Sequence, residues 1–266
     1  MSAAHSDGVD AEGFILTLPD ASVQSEFQPL LEEACTALSQ EALGVEGIYL
    51  YGSVARGDAI PGVSDLDLTL VLRESPTSQV LERLEVIRRD LERRHSQVTK
   101  VDFDIGSRGD VVAPHNRNSW GFWLKHHCRC VWGEDLALHI ERFRPSVDIA
   151  LAMNGDFETV LTAYLTRIAG ADTELERLRW QREASRKLIR ATHVFRSQDA
   201  ATWPQTLEEH VALFVQGYPT MMVQVAFFLF EARNPSADGE KFSARLQAFL
   251  SWMVSQRASF YGGSPV

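Results

Sequence analysis

The chain has 266 residues, of which 45% are hydrophobic and 23% are charged, a composition typical of a globular protein with one large or two modest cores. Its formal net charge of −10 lies mostly in residues 1–145, which carry 23 acidic and 14 basic side chains. This excess of acid argues against nucleic acid as a general partner, because such binding depends on neutralising phosphates. The negative charge would favour binding of a small cationic molecule, and it is equally explained by a need for solubility.

No feature of the sequence points to a membrane or to a disulfide framework. The residues up to Asp20 lack the basic and apolar regions of a signal peptide, and the apolar run 221–230 is too short to span a bilayer. We therefore expect a cytoplasmic protein without a membrane partner. Three cysteines are too few for a disulfide framework, and no second pair joins Cys128 and Cys130 to complete a zinc site, so we expect buried thiols.

Strand and helix patterns alternate in the first half of the chain. The predicted elements are a helix over 21–43 that becomes regular near Pro29, strands over 48–51, 65–72, 100–105 and 129–132, a helix from an N-cap at Ser78 to His95, a loop over 107–118 and a short helix from Trp120. The aromatic residues of 120–124 fit a core, and stacking on a base or sugar is the alternative.

Helical patterns dominate the second half. The predicted helices cover 157–169, 173–195, 206–215, 220–233 and 241–253. Strands followed by a run of helices indicate an α+β protein with an all-helical second domain. We expect domains at 1–145 and 146–266, separated near Pro145.

Two short motifs in the first half indicate a site for a metal-bound nucleotide. Gly52 would let the backbone approach a phosphate closely, and Ser53 would stand at a helix N-terminus that favours an anion. Asp65 and Asp67 are two residues apart on a strand, so both project from one face. Two converging carboxylates repel each other unless a cation lies between them, and hard oxygen ligands suit Mg²⁺ held with a substrate's phosphates.

A later strand supplies two more carboxylates for the same face. Asp102 and Asp104 alternate with apolar residues over 100–105, so strand periodicity places both on the metal side and cannot choose between them. Either one would serve as a third acid.

The motifs together resemble the DNA polymerase β-like nucleotidyltransferases. The resemblance rests on Gly52-Ser53, on the spacing to Asp65-Leu66-Asp67, and on an acidic residue in a later strand. With a helical second half, the chain is similar to the aminoglycoside adenylyltransferases that modify streptomycin and spectinomycin. The resemblance implies a polymerase β-like domain with a mixed sheet, followed by a helical bundle that clamps the nucleotide and substrate.

That resemblance also implies roles for individual residues. Ser53 and Ser64 would touch the phosphates of ATP, with Gly52 and the basic Arg56 in the same motif. Asp65 and Asp67 would bind Mg²⁺, a second ion would sit beside Asp102 or Asp104, and Asp102 would activate a hydroxyl of a small acceptor.

Arginines of the helical half would complete the nucleotide site. Arg179, Arg182, Arg186 and Arg190 are spaced 3, 4 and 4 residues apart and form one helical stripe. Guanidinium groups bind phosphate in a bidentate manner, so Arg186 and Arg190 would hold the triphosphate. Ion pairing with glutamates of the same helix is the alternative explanation.

The sequence departs from the family at two places, and other functions stay open. The third acid is an aspartate where the family has a glutamate base, and no basic residue occurs at 201–203, where one is expected. Transfer to a protein or tRNA, as in toxin–antitoxin nucleotidyltransferases, is one alternative. A helical ribonuclease of the HEPN type, using Arg186 and His193, is another. The sequence identifies neither the acceptor nor the oligomeric state.

Overall fold

The computed structural model describes residues 8–19, 22–236 and 238–261. Its internal contacts divide the chain into two compact units, Phe14–Phe143 and a second unit formed by Met1–Gly13 with Arg144–Val266. The first unit contains the sheet and the second is helical, which confirms the predicted α+β fold. The described residues 8–13 group with the helical unit, whereas we expected them in the first domain. The expected boundary after residue 145 stays a prediction.

The sheet unit is built on four strands in the order β3-β2-β1-β4. The strands are β1 (Val45–Tyr51), β2 (Leu66–Leu72), β3 (Val101–Ser107) and β4 (Arg129–Gly133). β1 pairs antiparallel with β2 and with β4, while β2 and β3 are parallel, so the sheet is mixed. Parallel neighbours need a crossover connection, and a long helix between β2 and β3 provides it.

Five helices accompany this sheet. They are α1 (Gln28–Leu38), α2 (Gly52–Arg56), α3 (Ser78–Arg94), α4 (Arg108–Val111) and α5 (Phe122–His127). Three 3-10 turns (Glu41–Leu43, Pro114–Asn116 and Leu136–His139) and one π-helical turn (Arg117–Gly121) join them. The expected loop over 107–118 is therefore largely helical, because the Ser107 hydroxyl accepts a hydrogen bond from the Asp110 amide and caps α4.

The two faces of the sheet have different roles. Leu66, Leu68 and Leu70 project from one face of β2 into a core shared with α1 and α3. The other face packs Tyr49 and Val71 against residues of α5. Polar residues of β2 lie on this second face because side chains alternate along a strand.

The N-cap of the crossover helix α3 lies one residue earlier than predicted. The Thr77 hydroxyl accepts a hydrogen bond from the Val80 amide, so Thr77 is the N-cap and Ser78 is the first helical residue. A hydroxyl cap of this kind satisfies one of the amides that a helix start leaves unpaired.

The helical unit contains six helices in its described part. They are α6 (Val147–Asn154), α7 (Phe157–Ala169), α8 (Glu174–Ala191), α9 (Leu207–Gly217), α10 (Met222–Glu231) and α11 (Gly239–Tyr261). Short 3-10 turns lie at Thr192–Phe195 and Pro219–Met221. The sequence did not predict α6, and the helix predicted to reach residue 195 becomes a 3-10 turn after Ala191. Within the described residues, no helix has the length and apolar character needed to cross a membrane.

Candidate active site

The pairing of β2 with β3 brings the predicted carboxylates to one face of the sheet. Asp67 lies beside Asp102, and Thr69 lies beside Asp104, in the parallel register. Asp65 immediately precedes β2, and its carboxylate accepts a hydrogen bond from the Thr99 hydroxyl. Since residues side by side in a sheet share a face, Asp102 is the laterally aligned partner of Asp67 and Asp104 lies further along the strand.

Gly52 is required where β1 ends, for two independent reasons. Its φ of +74° lies in the left-handed region, which side chains with a Cβ rarely adopt. A Cβ at this position would lie 2.1 Å from Oδ2 of Asp67. The glycine therefore lets the turn after β1 approach the Asp67 carboxylate of β2 closely. The motif alone had predicted such a close approach to a phosphate and not to this carboxylate.

The remaining residues of the glycine–serine motif have local partners. The helix that contains Ser53 has five residues, so the expected helix dipole is small. Arg56 lies 3.3 Å from Asp58 in an exposed ion pair. The Ser64 hydroxyl accepts a hydrogen bond from the Ile60 amide at 2.9 Å, which ties the loop before β2. Contacts of Ser53, Ser64 and Arg56 with a nucleotide stay predictions.

Burial and mutual repulsion perturb the carboxylates of this face. Burial, together with the negative charges of Asp65, Asp102 and Asp104, raises the pKa of Asp67 to about 7, while the charge of Lys100 opposes this shift. Burial likewise raises the pKa of Asp104, against a hydrogen bond donated by the Tyr51 phenol. Strongly perturbed carboxyl groups that cluster together are typical of functional sites.

Two contacts distinguish Asp102 from Asp104. The Tyr51 phenol donates to Asp104, whereas Oδ2 of Asp102 forms an ion pair with the Lys100 ammonium. Neither Tyr51 nor Lys100 was predicted to be a site residue from the sequence. The signal was present, because the alternation that places Asp102 and Asp104 on the metal face also places Lys100 there.

Aromatic side chains line the same face beside the acids. The rings of Tyr51 and Trp123 meet edge to face with centroids 4.9 Å apart, and the Trp123 indole donates to the Thr69 hydroxyl at 3.0 Å. Both rings are half-buried and pack against the second-face core. Trp123 therefore serves the core, as one of the two interpretations predicted, and it also borders the acids.

The described residues contain no group of three or more His, Cys, Asp and Glu side chains arranged to hold a metal ion. The donors near Asp67 are nevertheless all carboxylate oxygens, the ligands that Mg²⁺ prefers. Magnesium usually uses one or two carboxylates together with the phosphates of its substrate. Asp65 and Asp67 supply two such carboxylates at the start of β2, and burial together with the charges of Asp65, Asp102 and Asp104 raises the pKa of Asp67, so a bound cation would stabilise its ionised form.

The predicted arginines lie on α8 of the helical unit. Arg186 lies 3.4 Å from Glu183 on the same helix, and Arg179 stacks over the Trp180 ring at 5.6 Å. Arg186 therefore has the partner that the alternative explanation requires, and its contact with a nucleotide stays a prediction. Arg190 occupies the last turn of the same helix, and its role stays a prediction.

Two further expectations concern the cysteines and His193. Cys128 belongs to the second-face core, as expected for a buried thiol, and Cys130 is half-buried. His193 is only 7% exposed, and its ring meets those of Trp203 and His210. Its burial lowers its pKa to about 3. A histidine buried among aromatic rings and neutral at pH 7 differs from an exposed catalytic base, and the HEPN-type alternative stays a hypothesis.

Comparison with known proteins agrees with this site. Residues 31–120 match the family model described as the nucleotidyltransferase domain, a segment that contains Gly52 and all four aspartates. No curated protein matches the chain in sequence.

Among solved structures, the chain is similar to a spectinomycin adenyltransferase, AAD(9), from Enterococcus faecialis, determined with ATP and spectinomycin. The two are 13% identical with a TM-score of 0.53, over 84% of this chain and 99% of that one. At this identity the likeness shows the fold. Within the sheet unit, residues 31–120 thus match a nucleotidyltransferase domain.

Proposed function

Starting from a nucleotidyltransferase domain with clustered carboxylates, we propose that this chain transfers AMP from Mg-ATP to a hydroxyl of a small, cationic acceptor. One observation carries the proposal: the sheet aligns Asp67 with Asp102, and the carboxylate of Asp67 lies against Gly52. The similarity in fold to a spectinomycin adenyltransferase supports transfer of AMP as the reaction.

Asp65 and Asp67 would hold Mg²⁺, and the bound ion would neutralise charge on the triphosphate. Asp102 would accept the proton of the acceptor hydroxyl through Oδ1, since Oδ2 is paired with Lys100. A general base must lie within hydrogen-bond reach of the proton that it removes. Asp104 is the less suitable base, because the Tyr51 phenol already donates to it.

The reaction would proceed by in-line displacement. The acceptor oxygen forms a bond to the α-phosphorus as the bond from that phosphorus to the bridging oxygen breaks, and pyrophosphate leaves with its electron pair. The hydroxyl proton passes to Asp102. Catalysis of this type depends chiefly on positioning and on charge stabilisation.

The acceptor class follows from charge. The first 145 residues carry nine more acidic than basic side chains, and the described acid face adds unneutralised carboxylates. Such a field attracts cations and raises their local concentration. A cationic molecule rich in hydroxyl groups, such as an aminoglycoside, meets both requirements, as does the spectinomycin of the similar structure.

Intact-mass spectrometry of acceptors tests the proposal directly. The protein is incubated with Mg²⁺ and each of the four nucleoside triphosphates, together with aminoglycosides, spectinomycin, tRNA and protein fractions. We expect a small hydroxylated cation to gain one AMP group, with release of pyrophosphate. Labelling of tRNA or protein instead would favour the toxin–antitoxin alternative.

Calorimetry separates nucleotide binding from the choice of acceptor. The wild type should bind ATP more tightly with Mg²⁺ than without it, and Asp67→Asn should abolish that difference. The proposed site is wrong if ATP binds equally well with and without Mg²⁺ and the substitution changes nothing.

A further inference from the structure

Lys100 places a positive charge on the acid face of the sheet. It directly precedes β3, and its carbonyl accepts a hydrogen bond from the Leu66 amide at 2.9 Å, so its backbone is fixed beside the start of β2. Its side chain shares the face of Asp102, two residues away, and its ammonium forms an ion pair with that carboxylate. Only 27% of the Lys100 side chain is exposed.

This ammonium is placed among the carboxylates rather than at the rim of the unit. Its charge acts on Asp67 and on Asp104, in the direction opposite to the neighbouring aspartates. Among the charges that act on Asp67, Lys100 is the single positive one against Asp65, Asp102 and Asp104. Among the described residues, an ion pair with a basic side chain thus neutralises the negative charge of Asp102. The salt bridges of the described residues include none to Asp65 or Asp67.

A divalent ion at Asp102 would have to displace this lysine. A cation placed at a carboxylate that already contacts an ammonium meets like-charge repulsion at short range, which is strong where solvent is partly excluded. Breaking a half-buried ion pair also leaves the ammonium without its partner. By contrast, the contact of Asp65 is a hydrogen bond from a neutral hydroxyl, that of Thr99, which an ion can share without displacing a charge.

We propose that Lys100 supplies, as a fixed ammonium, the positive charge that a second metal ion would bring beside Asp102. The nucleotide-bound protein then takes up one divalent ion, at Asp65 and Asp67, where the family resemblance led us to expect two. This inference rests on the proposed nucleotide function and specifies its metal requirement. Lysine is a common phosphate ligand in the form of a point charge, so the same ammonium is suited to charge that develops on the phosphates during transfer.

Manganese counting tests the proposal without any reaction. Mn²⁺ replaces Mg²⁺, and electron spin resonance measures the number of bound ions per chain with a non-hydrolysable ATP analogue and no acceptor. We expect one ion in the wild type and in Lys100→Arg, which keeps the charge. Lys100→Met should bind two, because Asp102 loses its ammonium, and the double variant Lys100→Met/Asp102→Asn should return to one.

The matched control removes a positive charge elsewhere. Arg89 is exposed on α3 and pairs with Glu85, so Arg89→Met should keep one ion. Two ions in the wild type, or one ion in Lys100→Met, would overturn the role of Lys100. If Lys100→Met does not fold, the wild type and Lys100→Arg decide, since two ions in either contradicts the proposal. Failure of Mn²⁺ binding to depend on the nucleotide in any variant rejects the proposed function itself, and this inference with it.

Transfer rates provide a second readout. Loss of one preorganised charge at a reacting phosphate typically lowers the rate about 10²–10³-fold. In Lys100→Met we expect a loss of that order at low Mg²⁺ and partial recovery as Mg²⁺ rises, because a second ion then fills the position. A rate loss that does not respond to Mg²⁺ would show that Lys100 only supports the structure.

Discussion

The acid face of the sheet and the surface of the helical unit differ in how their charges are compensated. On the acid face, four aspartates crowd together with one lysine, and the pKa of Asp67 is raised to about 7. On the helical unit, several ion pairs join a basic side chain to a nearby carboxylate: Arg186 with Glu183, Lys187 with Asp156, Arg233 with Glu208 and Arg257 with Glu158.

This difference separates charge that serves function from charge that serves the fold. Neighbouring opposite charges on a helix surface stabilise it by a few tenths of a kcal/mol and leave no force unbalanced. Carboxylates held close together repel each other and destabilise the ligand-free protein. A ligand that supplies a cation removes this repulsion. Charge that lacks compensation is therefore the better guide to a site than charge density alone.

The largest expected effect is on the rate of transfer. Asp102→Asn should lower single-turnover AMP transfer about 10²–10⁴-fold, the usual cost of removing a general base, while ATP affinity changes little. Asp104→Asn should keep most of the rate, because the phenol of Tyr51 already occupies Asp104. Near-wild-type transfer in the first variant and collapse in the second would assign the base to Asp104.

The next effect is on stability, and it depends on pH. The pKa of Asp67 is about 7 in the folded protein and 3.8 as a reference, so the folded state binds the proton more tightly. The contribution of this group to stability is therefore fully present below pH 4, is lost as pH rises from 4 toward 7, and stays lost above pH 7. Asp67→Asn should be the more stable protein at pH 8, by at most about 4 kcal/mol for a shift of this size.

Denaturant unfolding at pH 4 and pH 8, with a chelator present, measures this difference. The gain from Asp67→Asn should nearly vanish at pH 4, where the wild-type carboxyl is protonated. Asp58→Asn is a matched control on an exposed aspartate of the same unit, and it should show no such gain. An Asp67→Asn variant that is equally stable or less stable at pH 8 would show that the acid face costs no stability.

Much of the fold follows from periodicity, and the exceptions have physical causes. Alternation along β2 and the spacing of apolar residues on α7 predict those elements, because each buries one face against a core. Helix α6 was missed because its eight residues are almost uniformly apolar or small and show no clear stripe. The turns over 108–121 were missed because a single hydroxyl cap and local bonds hold them, and these leave little trace in hydrophobic spacing.

The site was predictable in its acids and less so in their partners. Strand alternation alone placed Asp67 and Asp102 on one face. The parallel register of β2 with β3, which aligns these two residues, depends on the crossover through α3 and is not encoded in either strand by itself. The contact of Tyr51 required that register, because it joins β1 to Asp104 of β3, whereas alternation over 100–104 already placed Lys100 on the face of Asp102.

A smaller effect tests whether the helical unit contributes to nucleotide binding. Arg190→Ala should weaken ATP binding by roughly 1.5–3 kcal/mol if its guanidinium contacts a phosphate directly, and AMP binding should change less. Calorimetry with both nucleotides measures the two losses. Equal losses for ATP and AMP, or none, would place Arg190 with the charges that serve only the fold.

The smallest effect is expected for Arg186, four residues before Arg190 on the same helix. Its ion pair with Glu183 is partly exposed on both sides, and pairs of this kind contribute about 0.3–0.5 kcal/mol to stability. Arg186→Ala should therefore lower the free energy of unfolding by that amount and leave ATP affinity within about twofold, a change of less than 0.5 kcal/mol. Glu183→Ala should cost the same stability, because it breaks the same pair. Arg186→Ala should not lower ATP affinity beyond about tenfold unless Glu183→Ala does so too. A loss specific to Arg186→Ala would place Arg186 in the nucleotide site that the sequence predicted, since only a guanidinium that binds phosphate would behave in that way.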